Sequence, residues 1–167
     1  MGKKSKLVKK RNNVLVNIII IIGIIFLIAS LVLMLTHNKN KDKENRIVEI
    51  SYAEYKDIIK NNDYNIIILT TPTCIHCNNY KPSVNDVANN YDLIIYNLNV
   101  STLKYDEYLE LHDKYTATKD SYSSNDNPTI LTPTTIITKN DVEIDSIRSD
   151  IGSSGFLQLL KKNNIIQ

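Results

Sequence analysis

The sequence predicts an α/β domain, a mixed central sheet with helices on both faces, preceded by one transmembrane helix. Three observations carry this. An almost wholly apolar run lies near the N-terminus. Short β-branched runs then alternate with helical periodicity, and two cysteines three residues apart sit where one such run hands over to a helix. At 167 residues there is room for one ordinary folded unit beside the apolar run.

From Val14 to Leu35 the chain reads VLVNIIIIIGIIFLIASLVLML, with no charge and only Asn17 and Ser30 as polar breaks. At the helical rise this covers about 33 Å, enough for a hydrocarbon core of about 30 Å. The span is placed at residues 14–36, after a basic tail at 1–13 and before a polar tether at 37–46, with the folded domain over 47–167. A cleaved signal peptide is disfavoured, because the apolar run exceeds the usual length and no small-x-small site follows it. No cysteine follows it closely enough for a lipoprotein anchor. Six basic residues precede the span (Lys3, Lys4, Lys6, Lys9, Lys10, Arg11) and four follow it (Lys39, Lys41, Lys43, Arg46). That bias predicts a cytoplasmic N-terminus and an extracytoplasmic domain, in a compartment where disulfides persist. Formal net charge is only +2, with the basic residues gathered around the span, so a nucleic-acid partner is not expected.

In the soluble part, Arg46–Ile50 is a short apolar run. Ser51-Tyr52-Ala53-Glu54 has capping-box spacing and predicts a helix bearing Tyr55, Ile58 and Ile59. Tyr64–Leu69 is a continuous apolar run, the pattern of a strand covered on both faces. Cys74–Tyr91 reads as a helix with Cys77, Tyr80, Val84, Val87, Ala88 and Tyr91 at three- and four-residue steps, and Pro82 predicts a kink. Asp92–Val100 predicts a strand, Ser101–Tyr115 a helix and Thr116–Asn127 a polar loop. Residues 133–138 and 142–147 predict a hairpin around Lys139-Asn140-Asp141. Gly152 and Gly155 lead into a last helix with Phe156, Leu157, Leu159 and Leu160.

The two cysteines exclude a framework of structural disulfides by counting. Cys74 falls at a helix N-terminus, where free N–H groups and the helix dipole favour a thiolate, and Cys77 lies one turn on, within reach of a disulfide. Protonated His76 between them adds positive charge beside the thiolate. Inert or metal-bound cysteines are the competing readings. Cys74, His76 and Cys77 are possible zinc ligands, but zinc usually takes four, and His37 and His112 lie in the tether and a distant helix. No metal and no cofactor is expected.

Cys74-x-x-Cys77 after a buried strand, Pro82 within the helix, and Thr132-Pro133-Thr134 before a strand ending in Lys139-Asn140-Asp141 together resemble the thioredoxin-like superfamily, over most of the soluble part. The resemblance implies that Cys74 and Cys77 are catalytic. It also implies that Pro133 is cis and faces the dithiol, and that Thr132 and Pro133 contact the substrate chain. Pro128 is the rival for the cis position, but the stretch to the next proline, with Ile130 and Leu131 its only apolar residues, is too short for the strand that should follow. The Cys-x-His-Cys form is similar to periplasmic oxidases, and the short anchored domain to bacterial proteins of this superfamily, including bacteriocin transport accessory proteins. There are three departures. Thr73 stands where an aromatic residue is usual, Ile68 stands where reducing thioredoxins bury an acid, and the loop before Pro133 is long. The implied activity is thiol-disulfide exchange with cysteine-containing exported polypeptides, in concert with a membrane redox partner, His76 and Ile68 leaning towards oxidation or isomerisation. The alternative is a peptide-binding accessory module for an export system, with the dithiol incidental.

Overall fold

The computed structural model describes residues 20–32, 44–119 and 127–167. The chain divides into two compact units, Met1–Asp42 and Lys43–Gln167. In the first, residues 20–32 are helical and their large apolar side chains are exposed, Phe26 to 75%. Among the described residues no helix is long and apolar enough to cross a membrane. The remainder of the expected 14–36 span, its basic tail 1–13 and most of the 37–46 tether lie outside the described residues.

The second unit is built on a five-stranded sheet in the order β1-β3-β2-β4-β5. The strands are β1 (Ile47–Ile50), β2 (Asn65–Thr70), β3 (Ile95–Asn99), β4 (Thr134–Lys139) and β5 (Val142–Arg148). β1, β3 and β2 run parallel, β4 is antiparallel to β2, and β5 is antiparallel to β4 and so runs in the direction of the first three. This is the mixed sheet the element order predicts. The hairpin turn is Asn140-Asp141, both at positive φ (52° and 62°), the conformation of a two-residue turn whose twist matches its strands.

β2 is buried along its whole length. Its side chains alternate between two cores. Ile66 and Ile68 join Tyr80, Val84 and Val87 of α2 (Ile75–Tyr91) and Phe156 and Leu160 of the last helix, which spans Gly152–Lys162. On the opposite face, Ile67 and Leu69 meet Tyr55 of α1 (Tyr52–Ile58) and Leu111 of α3 (Tyr105–Lys114). Fully burying each of these aliphatic side chains is worth about 1.5–3 kcal/mol, so β2 organises both layers.

α1 begins with the predicted capping box. The Ser51 hydroxyl accepts from the Glu54 N–H, and the Glu54 carboxylate accepts from the Ser51 N–H at 2.7 Å. α2 continues through Pro82 as one helix and ends on Asp92, left-handed at φ 54°, with the Leu93 N–H closing on the Ala88 carbonyl. That turn consumes the start of the strand expected over Asp92–Val100, so β3 begins only at Ile95.

The helix expected over Ser101–Tyr115 is divided. The Asn99 side chain accepts the Ser101 N–H at 3.0 Å, forming a single 3-10 turn at Val100–Thr102, and Glu107 accepts the Lys104 N–H where α3 starts. The polar loop expected at Thr116–Asn127 opens instead with a short helix, α4 (Thr116–Lys119). Its caps come from β5. The Glu143 carboxylate accepts the Thr116 N–H, and the Ser146 hydroxyl accepts the Ala117 N–H at 3.0 Å. The helix Gly152–Lys162, α5, then returns beside α2.

Beneath α1 and α3 the Tyr55 and Tyr115 hydroxyls share a hydrogen bond of 2.5 Å and are essentially inaccessible. Burial pushes both phenols far above their ordinary range, so they stay neutral. Tyr55→Phe strands the Tyr115 hydroxyl and is expected to cost about 1–3 kcal/mol in urea unfolding. The Tyr55→Phe/Tyr115→Phe pair should cost less than the sum of the single changes; strict additivity would deny the bond an energetic role.

Candidate active site

Strand β2 ends at Thr70 and the chain turns through Thr71-Pro72-Thr73 into α2. Cys74 is the N-cap of that helix. Its backbone is extended and its sulfur accepts the Cys77 N–H at 3.0 Å, as a Ser or Asp oxygen does at other helix starts. Cys74 and Cys77 are joined as a disulfide with Cα atoms 5.2 Å apart. The two sulfurs differ in access. Cys77 is 1% exposed, whereas Cys74 is partly open at the rim. When the bond is reduced, the same N–H and the helix dipole favour negative charge on Cys74, the sulfur that solvent reaches.

The register of β2 against β4 brings the second half of the site to the first. Leu69 pairs with Thr134, so the Thr132-Pro133 segment just ahead of β4 lies opposite the turn that carries the cysteines. The Thr132 carbonyl oxygen is 3.4 Å from Cys74 Sγ, across 58 residues of sequence. The Thr132–Pro133 peptide bond is cis, the form the resemblance implied for this proline, and it is the only cis bond among the described residues. The loop is tied down on both sides of Pro133. The Thr134 hydroxyl donates to the Leu131 carbonyl at 2.6 Å, and the Ser149 N–H donates to the Pro133 carbonyl at 2.9 Å.

The other expected site residue, His76, is exposed in the first turn of α2, beside the exposed Ile75 (74%). One turn deeper the Tyr80 hydroxyl is hydrogen-bonded to Thr135 Oγ1 at 2.8 Å, pinning α2 to β4. Burial raises the Tyr80 phenol well beyond its ordinary range, so it is a neutral strut. Ile68 is fully buried under α2 in the apolar core with Tyr80 and Val84. The position supplies no proton acceptor.

Polar groups lie instead towards β3 and β1, and sequence reasoning missed them. The Thr70 hydroxyl donates to Asn97 Oδ1 at 2.9 Å, the Asn97 amide donates to the Glu49 carboxylate, and Lys81 Nζ pairs with that carboxylate at 3.0 Å. With Thr71 and Asn78 these residues line a pocket of about 180 Å³ behind the dithiol turn. The available signal was Asn97, a polar residue between the apolar Tyr96 and Leu98 of a strand, with Lys81 four residues after Cys77 on the same helix. Among the described residues no group of three or more His, Cys, Asp or Glu side chains could hold a metal ion.

No protein-family model matches the chain, and no curated protein does. Solved structures do. Thioredoxin f from spinach chloroplast is 16% identical, with a TM-score of 0.53 over 71% of this chain and 86% of that one. Thioredoxin f2 of Chlamydomonas reinhardtii is 10% identical, with a TM-score of 0.54 over 72% and 99%. The thioredoxin of Malassezia sympodialis is 15% identical, with a TM-score of 0.52 over 72% and 93%. At such identities the likeness is one of fold, and it spans nearly the whole of those proteins. The chain is therefore a thioredoxin-fold protein, with a Cys-x-x-Cys disulfide at the start of α2 facing a cis-proline loop.

Proposed function

We propose that this protein is a membrane-anchored thiol-disulfide oxidoreductase acting on cysteine-containing exported polypeptides through Cys74 and Cys77. The observation that carries this reading is the asymmetry of the disulfide, with one sulfur open at the rim under the Thr132 carbonyl and the other shut in the core.

In the oxidising direction a substrate thiolate attacks Cys74 Sγ. The Cys74–Cys77 bond breaks, a mixed disulfide forms on Cys74, and Cys77 leaves as a thiolate that takes up a proton. A second substrate thiolate then attacks the substrate sulfur of the mixed disulfide and expels Cys74 as a thiolate. The substrate loses two electrons and the protein gains them, and a disulfide-bearing membrane partner takes them on. The Cys77 N–H aimed at Cys74 Sγ stabilises each departing Cys74 thiolate. Ile68 in place of an acid weakens proton removal from Cys77, the step a fast reductase needs, and His76 in the first turn adds positive charge when protonated. Both favour oxidation or isomerisation. Thr132 and Pro133 contact the substrate backbone.

The membrane anchor rests on the charge-free run at 14–36 and on the apolar side chains that helix 20–32 leaves exposed, including Ile22, Phe26 and Leu27. Lipid gives such a surface a partner that water does not. The bias of basic residues towards the N-terminal side puts the thioredoxin-fold unit outside the cytoplasm.

Four measurements test these statements. The full-length protein in detergent, equilibrated against glutathione buffers, is expected to show a reduction potential near or above roughly −200 mV; a value near roughly −270 mV would make it a reductase, and failure to redox-cycle would remove the enzyme reading. Replacing both cysteines by serine is expected to abolish exchange, whereas a binding module would keep its function. Folded Cys77→Ser protein is expected to alkylate at Cys74 at least about tenfold faster than folded Cys74→Ser protein does at Cys77, and comparable rates would reverse the roles assigned to the two thiols. Alkaline carbonate is expected to leave the full chain in the membrane pellet, with externally added protease reaching the Lys43–Gln167 unit. Release into the supernatant would remove the anchor.

A further inference from the structure

Five residues other than glycine have positive φ among the described residues. Four are Asp92, Asn140, Asp141 and Asn164, at 52–62°, the left-handed well that Asn and Asp tolerate. The fifth is Ser149, at 109°, outside that well and carrying a side chain the conformation disfavours. A glycine would sit there freely. Ser149 follows the last residue of β5, where Arg148 pairs with Thr134, so it is the next rung of the ladder and faces Pro133. Its N–H donates to the Pro133 carbonyl at 2.9 Å. Proline has no N–H to return, so this pair has one hydrogen bond where a hydrogen-bonded antiparallel pair otherwise exchanges two. One residue before Pro133 is Thr132, whose carbonyl lies 3.4 Å from Cys74 Sγ.

Resting on the oxidoreductase reading above, we propose that Ser149 is a positioning residue for exchange with polypeptides. Its backbone, confined by a side chain in a conformation glycine would relax, aims the single N–H that fixes the Pro133 carbonyl. Through that bond it sets the Thr132 backbone at the distance from Cys74 that an extended substrate chain requires. A small dithiol attacking Cys74 makes no use of that backbone, so Ser149 separates polypeptide substrates from small thiols. Ser149 does not touch the reacting sulfurs.

The test compares the parent, Ser149→Gly and Ser149→Ala, all full-length and oxidised, in single-turnover reduction by a two-cysteine peptide and by dithiothreitol. Ser149→Gly is expected to react with the peptide about tenfold more slowly, because a small misplacement of a positioning group has a large effect on rate. Its rate with dithiothreitol is expected to stay within about twofold, and its thermal midpoint to be no lower than the parent's, since glycine meets no side-chain penalty at this φ. Ser149→Ala keeps the confined backbone and is expected to match the parent with both reductants. A parental peptide rate in Ser149→Gly, equal slowing with both reductants, or Ser149→Ala as slow as Ser149→Gly would each overturn the proposal. A parent that reacts with neither reductant would instead show that the oxidoreductase reading itself has failed, and the positioning role with it.

Discussion

The antiparallel pairing of β2 with β4 is the constraint on which the site depends. Leu69 opposite Thr134 puts the end of β2, and the turn into α2, beside the start of β4 and the loop before it. Because strand side chains alternate with a period of two, a slip of one residue would send Ile66 and Ile68 to the face of α1 and α3, and Ile67 and Leu69 to the face of α2. Burial on both faces forbids that slip. The 3.4 Å approach of the Thr132 carbonyl to Cys74 therefore follows from packing several residues away.

The second organising element is the start of α2. A helix N-terminus has N–H groups with no partner in the helix, and here a sulfur rather than an oxygen receives one of them. That bond serves structure in the disulfide, as a cap, and electrostatics after reduction, as a donor to a thiolate. The deeper attachment of α2 is polar as well, through Tyr80 and Thr135. The helix is thus held to β4 by a buried hydrogen bond and to β2 by apolar contact, which keeps its first turn in a fixed relation to the proline loop.

The polar chain Thr70–Asn97–Glu49–Lys81 gives the site a distinct internal chemistry. Where the core under α2 is wholly apolar at Ile68, charge is displaced to β1 and to the helix side facing it. A carboxylate there is partly solvated and already neutralised by Lys81, so it does not bear the desolvation cost that an acid at position 68 would meet. The dithiol turn is left between an apolar floor and a polar flank.

The elements set by local chemistry were legible in the sequence: the capping box at Ser51, the doubly buried β2, the hairpin at Asn140-Asp141, and the Cys-x-x-Cys pair at a strand-to-helix junction. Each depends on residues within a few positions of one another, and hydrophobic period and turn preference report such relations directly. The elements that escaped were those completed from afar. Helix α4 is capped by Glu143 and Ser146 of β5, and the Glu49–Lys81 pair joins β1 to α2. The clamp of Ser149 on Pro133 likewise exists only because the β4–β5 register makes them partners. The sequence by itself thus determined the locally specified strands and helices, where the thiols stand, and how apolar the N-terminal run is. The tertiary structure alone decided which distant backbone and side-chain groups face those thiols, because strand order and register depend on the packing of the whole domain.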